Sequence, residues 1–386
     1  MEYRLEELFI LQMGKTPSRS NAEYWDSPDQ KWISISDLSK CDKYICETKE
    51  YISDKAIEES GISLIPENTV IMSFKLSIGK VAITSEPMYS NEAIMSFRDK
   101  HVAELLPDYV YYLLLGQDWE RGTNKAVMGK TLNKATLSKI KVNIHSLDVQ
   151  KLIVSTLDTL QSIITHRRTQ LEKLDLLVKA RFVEMFGEVG TDKFGWGLQK
   201  IGDICEINPK KAKELKLHSE LKISFVPMPA VSEYGNIDAT EIKTYEEVKS
   251  GFTYFAENDV LFAKITPCME NGKGCIARGL CNGIGFGSTE FHVIRPTAKT
   301  NPYWIYNVTI FKQFRKDAAA NMTGSAGQRR VPAKFLENYK VALPPIELQT
   351  KFADFVKQVD KSKATVQKAL DEAQLLFDSL MQEYFG

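Results

Sequence analysis

The sequence predicts an α+β chain built as an internal pseudo-twofold repeat. Two mixed α/β globular domains, at 1–146 and 188–345, are separated by two long antiparallel coiled-coil helices at 147–187 and 346–386. Self-similarity carries the prediction. The two helical stretches align without a gap at an offset of 199, with identity at Gln150/Gln349, Leu171/Leu370, Leu176/Leu375, Leu177/Leu376, Glu184/Glu383, Phe186/Phe385 and Gly187/Gly386. Shorter echoes precede them: 66–71 against 256–261, 79–83 against 272–276, and 91–93 against 289–291. Their offset drifts from 190 to 198, as it should when loops differ in length between two copies of one unit.

Each element has a local reason. Lys31 to Leu38 alternates apolar with polar residues and reads as one half-buried strand. Residues 69–74 and 259–263 are short apolar runs that read as equivalent buried strands, and 109–115 and 303–308 read as helices in matching places. In the first long helix Ile153, Leu157, Leu160, Ile164, Leu171, Leu174, Val178 and Met185 recur in steps of four and three, interrupted at Arg167 and Arg181. In the second the stripe is Phe352, Val356, Val359, Lys363, Val366, Leu370, Ala373, Phe377, Leu380 and Tyr384. A heptad seam this long argues for coiled-coil packing. Ser146 suits the cap of the first helix and Pro345 the start of the second, while Gly187 and Gly386 close them. Forty residues at about 1.5 Å each make a rod of about 60 Å, long for one domain and suited to a spacer. The simplest partner for each helix is the other, run antiparallel; the alternative is that each seam buries against its own domain.

Composition removes several classes of protein. At 386 residues, 43% hydrophobic and 26% charged, the chain is globular and soluble. It shows no 18-residue apolar run and no signal peptide. The six cysteines never form Cys-x-x-Cys, which argues against zinc or a disulfide framework and for free thiols in a reducing cytoplasm. There is no Gly-x-x-x-x-Gly-Lys-Ser/Thr, His-Glu-x-x-His or Gly-x-Ser-x-Gly. Residues 272–277 fit Gly-x-Gly-x-x-Ala, but Asn271 before them and the lack of a following amphipathic helix make a turn between strands the better reading. Glycines 283, 285 and 287 read as a flexible loop. No catalytic residue and no metal site is expected.

Lys plus Arg balances Asp plus Glu, 50 to 50, so charge placement matters more than its sum. Residues 121–141 hold Arg121, Lys125, Lys130, Lys134, Lys139 and Lys141 with no acid, and 312–340 hold seven cations against Asp317 and Glu337. Gln328, Arg329 and Arg330 occupy the repeat position of Gly129, Lys130 and Thr131. Two such segments at matching places suit DNA phosphates, or else a solvated basic face. The candidate DNA-facing residues are Lys75, Ser77, Lys80, Asn91, Lys125, Lys130, Thr131 and Lys134 in the first domain. In the second they are Lys264, Thr266, Lys273, Arg278, Thr289, Gln328, Arg329 and Arg330. Glu92 and Glu290 could accept from a cytosine amino group or serve as partners for the neighbouring lysines.

The run 32–38, then Ser77-Ile78-Gly79-Lys80-Val81-Ala82-Ile83, then Asn91-Glu92-Ala93-Ile94, resembles a target-recognition domain of type I restriction–modification specificity subunits. Leu343-Pro344-Pro345-Ile346-Glu347-Leu348-Gln349, leading into a long helix, is similar to the start of that family's conserved helical region. The first copy departs from it with His145-Ser146-Leu147-Asp148-Val149-Gln150, and the second replaces Ser-Ile-Gly with Glu270-Asn271-Gly272. The resemblance implies a non-catalytic DNA-specificity subunit. Two recognition domains would each read half of a bipartite double-stranded DNA site, and the helices would set the gap. It also implies two methyltransferase (modification) subunits carrying S-adenosylmethionine, and restriction/translocase subunits using ATP and magnesium. A scaffold that holds two protein partners and binds no DNA is the alternative from another class.

Overall fold

The computed structural model describes residues 1–75, 77–119, 132–211, 219–325 and 327–386. The chain forms two compact units, Met1–Arg168 with Lys368–Gly386, and Thr169–Gln367. Each consists of a globular body and one half of each long helix.

In the first unit a five-stranded sheet runs β2 (Phe9–Met13), β9 (Ile94–Asp99), β6 (Val70–Ser73), β7 (Val81–Thr84), β4 (Tyr44–Ile45). All neighbours are antiparallel except β4, which joins β7 in parallel. A smaller sheet holds β5 (Glu50–Ile52), β3 (Gln30–Ile33) and β8 (Tyr89–Ser90), and β1 (Glu2–Arg4) pairs with β10 (Lys141–Asn143). The helices are α1 (Leu5–Leu8), α2 (Ile35–Leu38), α3 (Asp54–Ser60), α4 (Pro107–Leu115), α5 (Lys134–Ser138) and α6 (Leu147–Phe186). Strand β6 is buried on both faces, and its period of two sends successive residues to different cores. Val70 and Met72 pack with Tyr109 and Leu113 of α4, whereas Ile71 joins Ile33, Leu38 and Ile45.

The second unit repeats the plan. Its main sheet runs β12 (Cys205–Ile207), β19 (Phe291–Pro296), β16 (Val260–Ala263), β17 (Gly274–Ile276). A second sheet runs β14 (Ile242–Thr244), β13 (Lys222–Val226), β18 (Ile284–Gly287), β15 (Thr253–Ala256), and β11 (Leu198–Lys200) pairs with β20 (Lys340–Ala342). Its helices are α7 (Ile201–Ile204), α8 (Tyr245–Val248), α9 (Pro302–Ile310), α10 (Lys312–Ala320), α11 (Ala333–Asn338) and α12 (Ile346–Phe385). Val260 and Phe262 face the core under α9, while Leu261 and Ala263 face the other. Among the described residues, no strand pairs with β17 as β4 pairs with β7.

Two local expectations are corrected. The run 31–38 is not one strand: β3 stops at Ile33, because Ser34 and Asp37 form a reciprocal capping box that turns the chain into α2. Glycines 285 and 287 lie in β18 rather than in a flexible loop. A Cβ on Gly285 would sit 2.0 Å from the Phe255 ring, and one on Gly287 would sit 2.1 Å from the Val226 carbonyl oxygen. These glycines are close-approach residues. The turn reading of 272–277 holds, with Gly272 at a φ of 89° and β17 starting at Gly274.

The long helices pack together. In the first unit Ile153, Leu157, Leu160 and Ile164 of α6 meet Phe377 and Met381 of α12, with Leu370 and Leu380 half-buried against them. In the second unit Val178 and Phe182 of α6 meet Phe352, Val356 and Val359 of α12, and Leu174 packs alongside. The start of each helix thus lies against the end of the other, so the pair is antiparallel. Val366 is also buried, and Leu171 is half-buried. Lys363 interrupts the seam and finds Asp175 of the opposite helix. At its C-terminal end the α6 seam differs from the expected one. Phe182 and Phe186 are buried and meet Phe352 edge to face at 5.5 and 5.3 Å between ring centres, whereas Met185 is only partly covered. Three rings fill more space than a methionine and dictate which face turns inward.

Each helix is tied to its body by the same buried glutamine. The Gln150 side chain accepts from Leu106 N at 3.1 Å and donates to the Glu104 and His145 carbonyls at 2.8 and 3.0 Å. Gln349 accepts from Asn301 N at 2.8 Å and donates to the Lys299 and Pro344 carbonyls at 3.1 and 2.8 Å. Both side chains are fully buried.

Candidate nucleic-acid interface

In each unit most of the described candidate residues lie at one end of the hairpin formed by the two central strands, β6–β7 or β16–β17. In the first unit Ser73 staples the turn: its hydroxyl donates to the Ser77 carbonyl at 2.6 Å and accepts from Lys80 N at 3.0 Å. Ser77, at a φ of 38°, is exposed, and Lys75 lies over the Phe74 ring at 5.3 Å. Lys80 reaches sideways to the Ser39 hydroxyl at 2.6 Å. Asn91 folds back to accept from Ala93 N at 2.7 Å, which shapes the corner before β9. Lys134 is exposed at the first position of α5. Lys125, Lys130 and Thr131 lie outside the described residues, as does Arg121.

Two residues at this corner escaped the sequence reading. Thr16 donates to Glu92, whose carboxyl is held below the usual range by that bond, against the opposing effect of burial. The charges of Lys75 and Arg19 act in the same direction. Arg19 lies over the Trp25 ring at 3.7 Å and forks onto Glu50. The polar run 14–20, rich in turn-forming residues and carrying Lys15 and Arg19, was the available signal.

In the second unit residues 327–331 lie along the turn that follows β16. Thr266 N donates to the Arg329 carbonyl at 3.0 Å, Val331 N donates to the Lys264 carbonyl at 2.9 Å, and the Thr266 hydroxyl donates to the Gly327 carbonyl at 3.1 Å. Lys264, Thr266, Gln328, Arg329 and Arg330 are thereby brought together, beside exposed Thr289. Arg330 is largely committed. Its Nε and Nη2 grip Glu290 at 3.0 and 2.7 Å, and its Nη1 donates to the Gln328 carbonyl at 3.0 Å. The bond from Arg330 holds the Glu290 carboxyl below its ordinary value against burial, while burial and then Arg330 push the Lys264 ammonium down against the pull of Glu290. Glu290 therefore serves as the arginine's partner. Gln328 and Arg329 stand outward, the Arg329 side chain meeting Glu270 at 3.4 Å. Lys273, at the far side of the same turn, points to the Met228 carbonyl at 3.4 Å.

Arg278 stands apart. It follows β17 at the opposite end of the hairpin and donates to the Tyr303 hydroxyl. The remaining cluster offers outward amide, hydroxyl and guanidinium groups on tightly bonded turns, which is what phosphate positioning and base-edge contact require. Among the described residues no group of His, Cys, Asp and Glu could hold a metal ion, all six cysteines are free thiols, and no helix is long and apolar enough to cross a membrane.

Two bodies on one plan, each with a polar and cationic hairpin edge and joined to paired long helices, define a duplicated recognition fold. The family model for the type I restriction modification DNA specificity domain matches residues 1–174 and 194–374, and the chain belongs to that family. It is 40% identical over 196 residues to the EcoAI specificity subunit of Escherichia coli and 38% identical over 193 residues to the EcoEI subunit. Each of those matches covers 48% of this chain and only 32% of the relative's length. The MjaIX specificity subunit of Methanocaldococcus jannaschii is 22% identical over 95% of this chain and 88% of its own. Among solved structures, the S subunit from M. genitalium superposes with a TM-score of 0.56 at 15% identity, covering 100% of this chain and 96% of that one. A chain from a study of complex assembly in a type I R-M system gives 0.58 at 15% identity, covering 100% and 97%. At that identity these two likenesses speak for the fold.

Proposed function

We propose that this chain is the DNA-recognition component of a type I restriction–modification complex. Residues 1–146 and 188–345 each read one half of a bipartite double-stranded site, and the helices at 147–187 and 346–386 set the gap. The observation that carries this reading is the family match across both copies. The hairpin-edge clusters supply its physical means. Lysines and arginines position each unit on phosphates, and Ser77, Thr289, Gln328 and Arg329 are the side chains placed to approach base edges. The chain contributes recognition, not catalysis. Two modification subunits bring S-adenosylmethionine, restriction/translocase subunits bring ATP and magnesium, and the complex works in the cytoplasm. Two leucine pairs at the same repeat position suit a partner present in two copies: Leu176 and Leu177 on α6, and Leu375 and Leu376 on α12, are 47 to 72% exposed.

The test is a gel shift of the chain with its methyltransferase partner across a salt series, followed by mapping of methylated adenines with the gene intact and deleted. Binding that weakens steeply with salt, and a gapped two-part motif that disappears on deletion, are the expected results. Failure to retard DNA at low salt, with the partner bound, overturns the reading in favour of a protein scaffold.

A further inference from the structure

The two units differ most where the helix pair meets the far end of the central hairpin. In the first unit this wedge is closed from within the chain. Lys43, just before β4, places its ammonium 2.5 Å from Asp108 on α4 and 2.7 Å from Asp158 on α6. Tyr112 and Tyr44 add hydrogen bonds to those carboxylates. The Lys43 carbonyl also accepts from Ile83 N at 2.9 Å, so the plug is held by the edge of β7. The residues at the matching places in the second unit are of other chemistry: Tyr303 for Asp108 on α9, and Lys357 for Asp158 on α12. No counterpart of β4 is present among the described residues.

The wedge of the second unit is instead a cavity of about 670 Å³, lined among others by Glu257, Asp259, Arg278, Arg295, Tyr303 and Lys357. Its acceptors are already used. Both Asp259 oxygens are gripped by Arg295 at 2.8 and 2.7 Å, and both Glu257 oxygens accept backbone N–H bonds from Gly279 and Leu280 at 2.9 and 3.0 Å. Its donors are not. Arg278 lies over the Tyr303 ring at 4.0 Å, donates to the Tyr303 hydroxyl, and among the described residues has no carboxylate within ion-pair distance. Asp360 acts on it only through space. Lys357 pairs with Asp354 at 3.0 Å, an exposed pair of little energetic weight, and its ammonium lies 5.6 Å from the centre of the Tyr303 ring. The unspent capacity of the cavity is cationic and donating.

We propose that this cavity is a docking site for an acidic side chain of a protein partner, whose carboxylate takes the fork of Arg278 and the ammonium of Lys357. Three observations select a protein carboxylate. The equivalent wedge of the first unit is filled by a protein side chain of the opposite sign. The cavity sits beside α9 and α12, at the end of the hairpin away from the turn that carries Lys264 and Arg329. Arg278, seated over Tyr303, carries the planar fork that a carboxylate fits bidentately. The partner's identity, a methyltransferase subunit, rests on the function proposed above; the chemistry of the site does not.

The experiment has two arms on the full chain, with thermal unfolding used to confirm that each variant is folded. In the first, a fluorescein-labelled hexaglutamate peptide is titrated by anisotropy against the wild type, Arg278→Glu, Lys357→Glu and Arg278→Lys. At least tenfold weaker binding in both reversals and partial retention in Arg278→Lys are expected; equal binding by the wild type and both reversals overturns the site. Displacement of the peptide by millimolar inorganic phosphate as readily as by glutamate also overturns it, as a general anion site. In the second arm, affinity for the methyltransferase subunit is measured by sedimentation, and affinity for DNA by gel shift. The reversals should weaken partner binding at least tenfold and change DNA affinity less than twofold. A loss that falls on DNA instead reassigns the pocket to phosphate and overturns the proposal. If the wild type binds no methyltransferase, the functional reading fails, and the peptide arm still decides the pocket.

Discussion

Gln150 and Gln349 show how much one residue type at one repeat position can accomplish. Each glutamine satisfies one backbone N–H and two backbone carbonyls inside a closed junction. Gln150→Leu, similar in size, leaves those groups dry and unpaired, at about 1 to 3 kcal/mol each where relaxation is poor. We expect a loss of about 2 to 4 kcal/mol in urea unfolding, and faster hydrogen exchange at Leu106 N, with the same response at Asn301 N in Gln349→Leu. Sequence comparison marked this pair among seven identities, but its role was hidden because two of the three bonded partners of each glutamine lie 44 to 50 residues earlier. A second prediction concerns His292, which donates from Nε2 to the Val331 carbonyl at 2.8 Å and accepts at Nδ1 from Asn208 at 3.0 Å. Burial, more than the charge of Lys264, lowers its pKa. The unfolded chain therefore takes up a proton that the folded chain refuses. This contribution to stability is complete above the unfolded value of about 6.5 and shrinks as pH falls through it. The unfolding midpoint should drop between pH 7 and pH 5.5, and the part of that drop due to this site should vanish in His292→Gln. An unaltered pH profile in the variant would refute the assignment.

At the scale of elements, the paired strands and long helices were legible because burial imposes a period. The runs at 70–73 and 260–263 are apolar because each strand feeds two cores, and the heptads are apolar because each helix faces its partner. What was not legible is where a period yields to a local device. Ser34 and Asp37 end β3 with a capping box that alternation alone does not reveal, and β18 contains glycines because Phe255 and a neighbouring backbone occupy their side-chain space. The end of α6 is a similar case: counting by heptads selects Met185, but the aromatic contact with Phe352 turns Phe182 and Phe186 inward. Phe182→Ala removes a ring that is only 2% exposed and should cost about 3 to 5 kcal/mol. Met185→Ala, at a partly covered position, should cost much less. Denaturant unfolding of the two variants side by side checks the order, and equal losses would restore the heptad assignment. The candidate interface was the least legible part. Thr266 is joined to Arg329, and Lys264 to Val331, by backbone bonds across more than sixty residues, and no local pattern announces such a contact.

At the scale of the whole molecule, the duplicated plan makes helix length a design variable that is separate from recognition. In the function proposed, side chains that approach bases belong to the hairpin edges of the two bodies; α6 and α12 contribute seam residues and junction glutamines. Linking two modest readers raises affinity only when the link matches the separation of their targets. Removing one heptad from each helix preserves the seam register, because the apolar pattern repeats every seven residues, and shortens the rod by about 10 Å at about 1.5 Å per residue. The gap between half-sites should then contract by up to about three base pairs, given about 3.4 Å of rise per pair, while the two half-site sequences stay the same. Methylation mapping of a strain carrying the shortened chain reads both quantities at once. A contracted gap with unchanged half-sites supports the division of labour between helices and bodies. Altered half-sites would show that the helices take part in reading the DNA. An unchanged gap would show that helix length does not measure it.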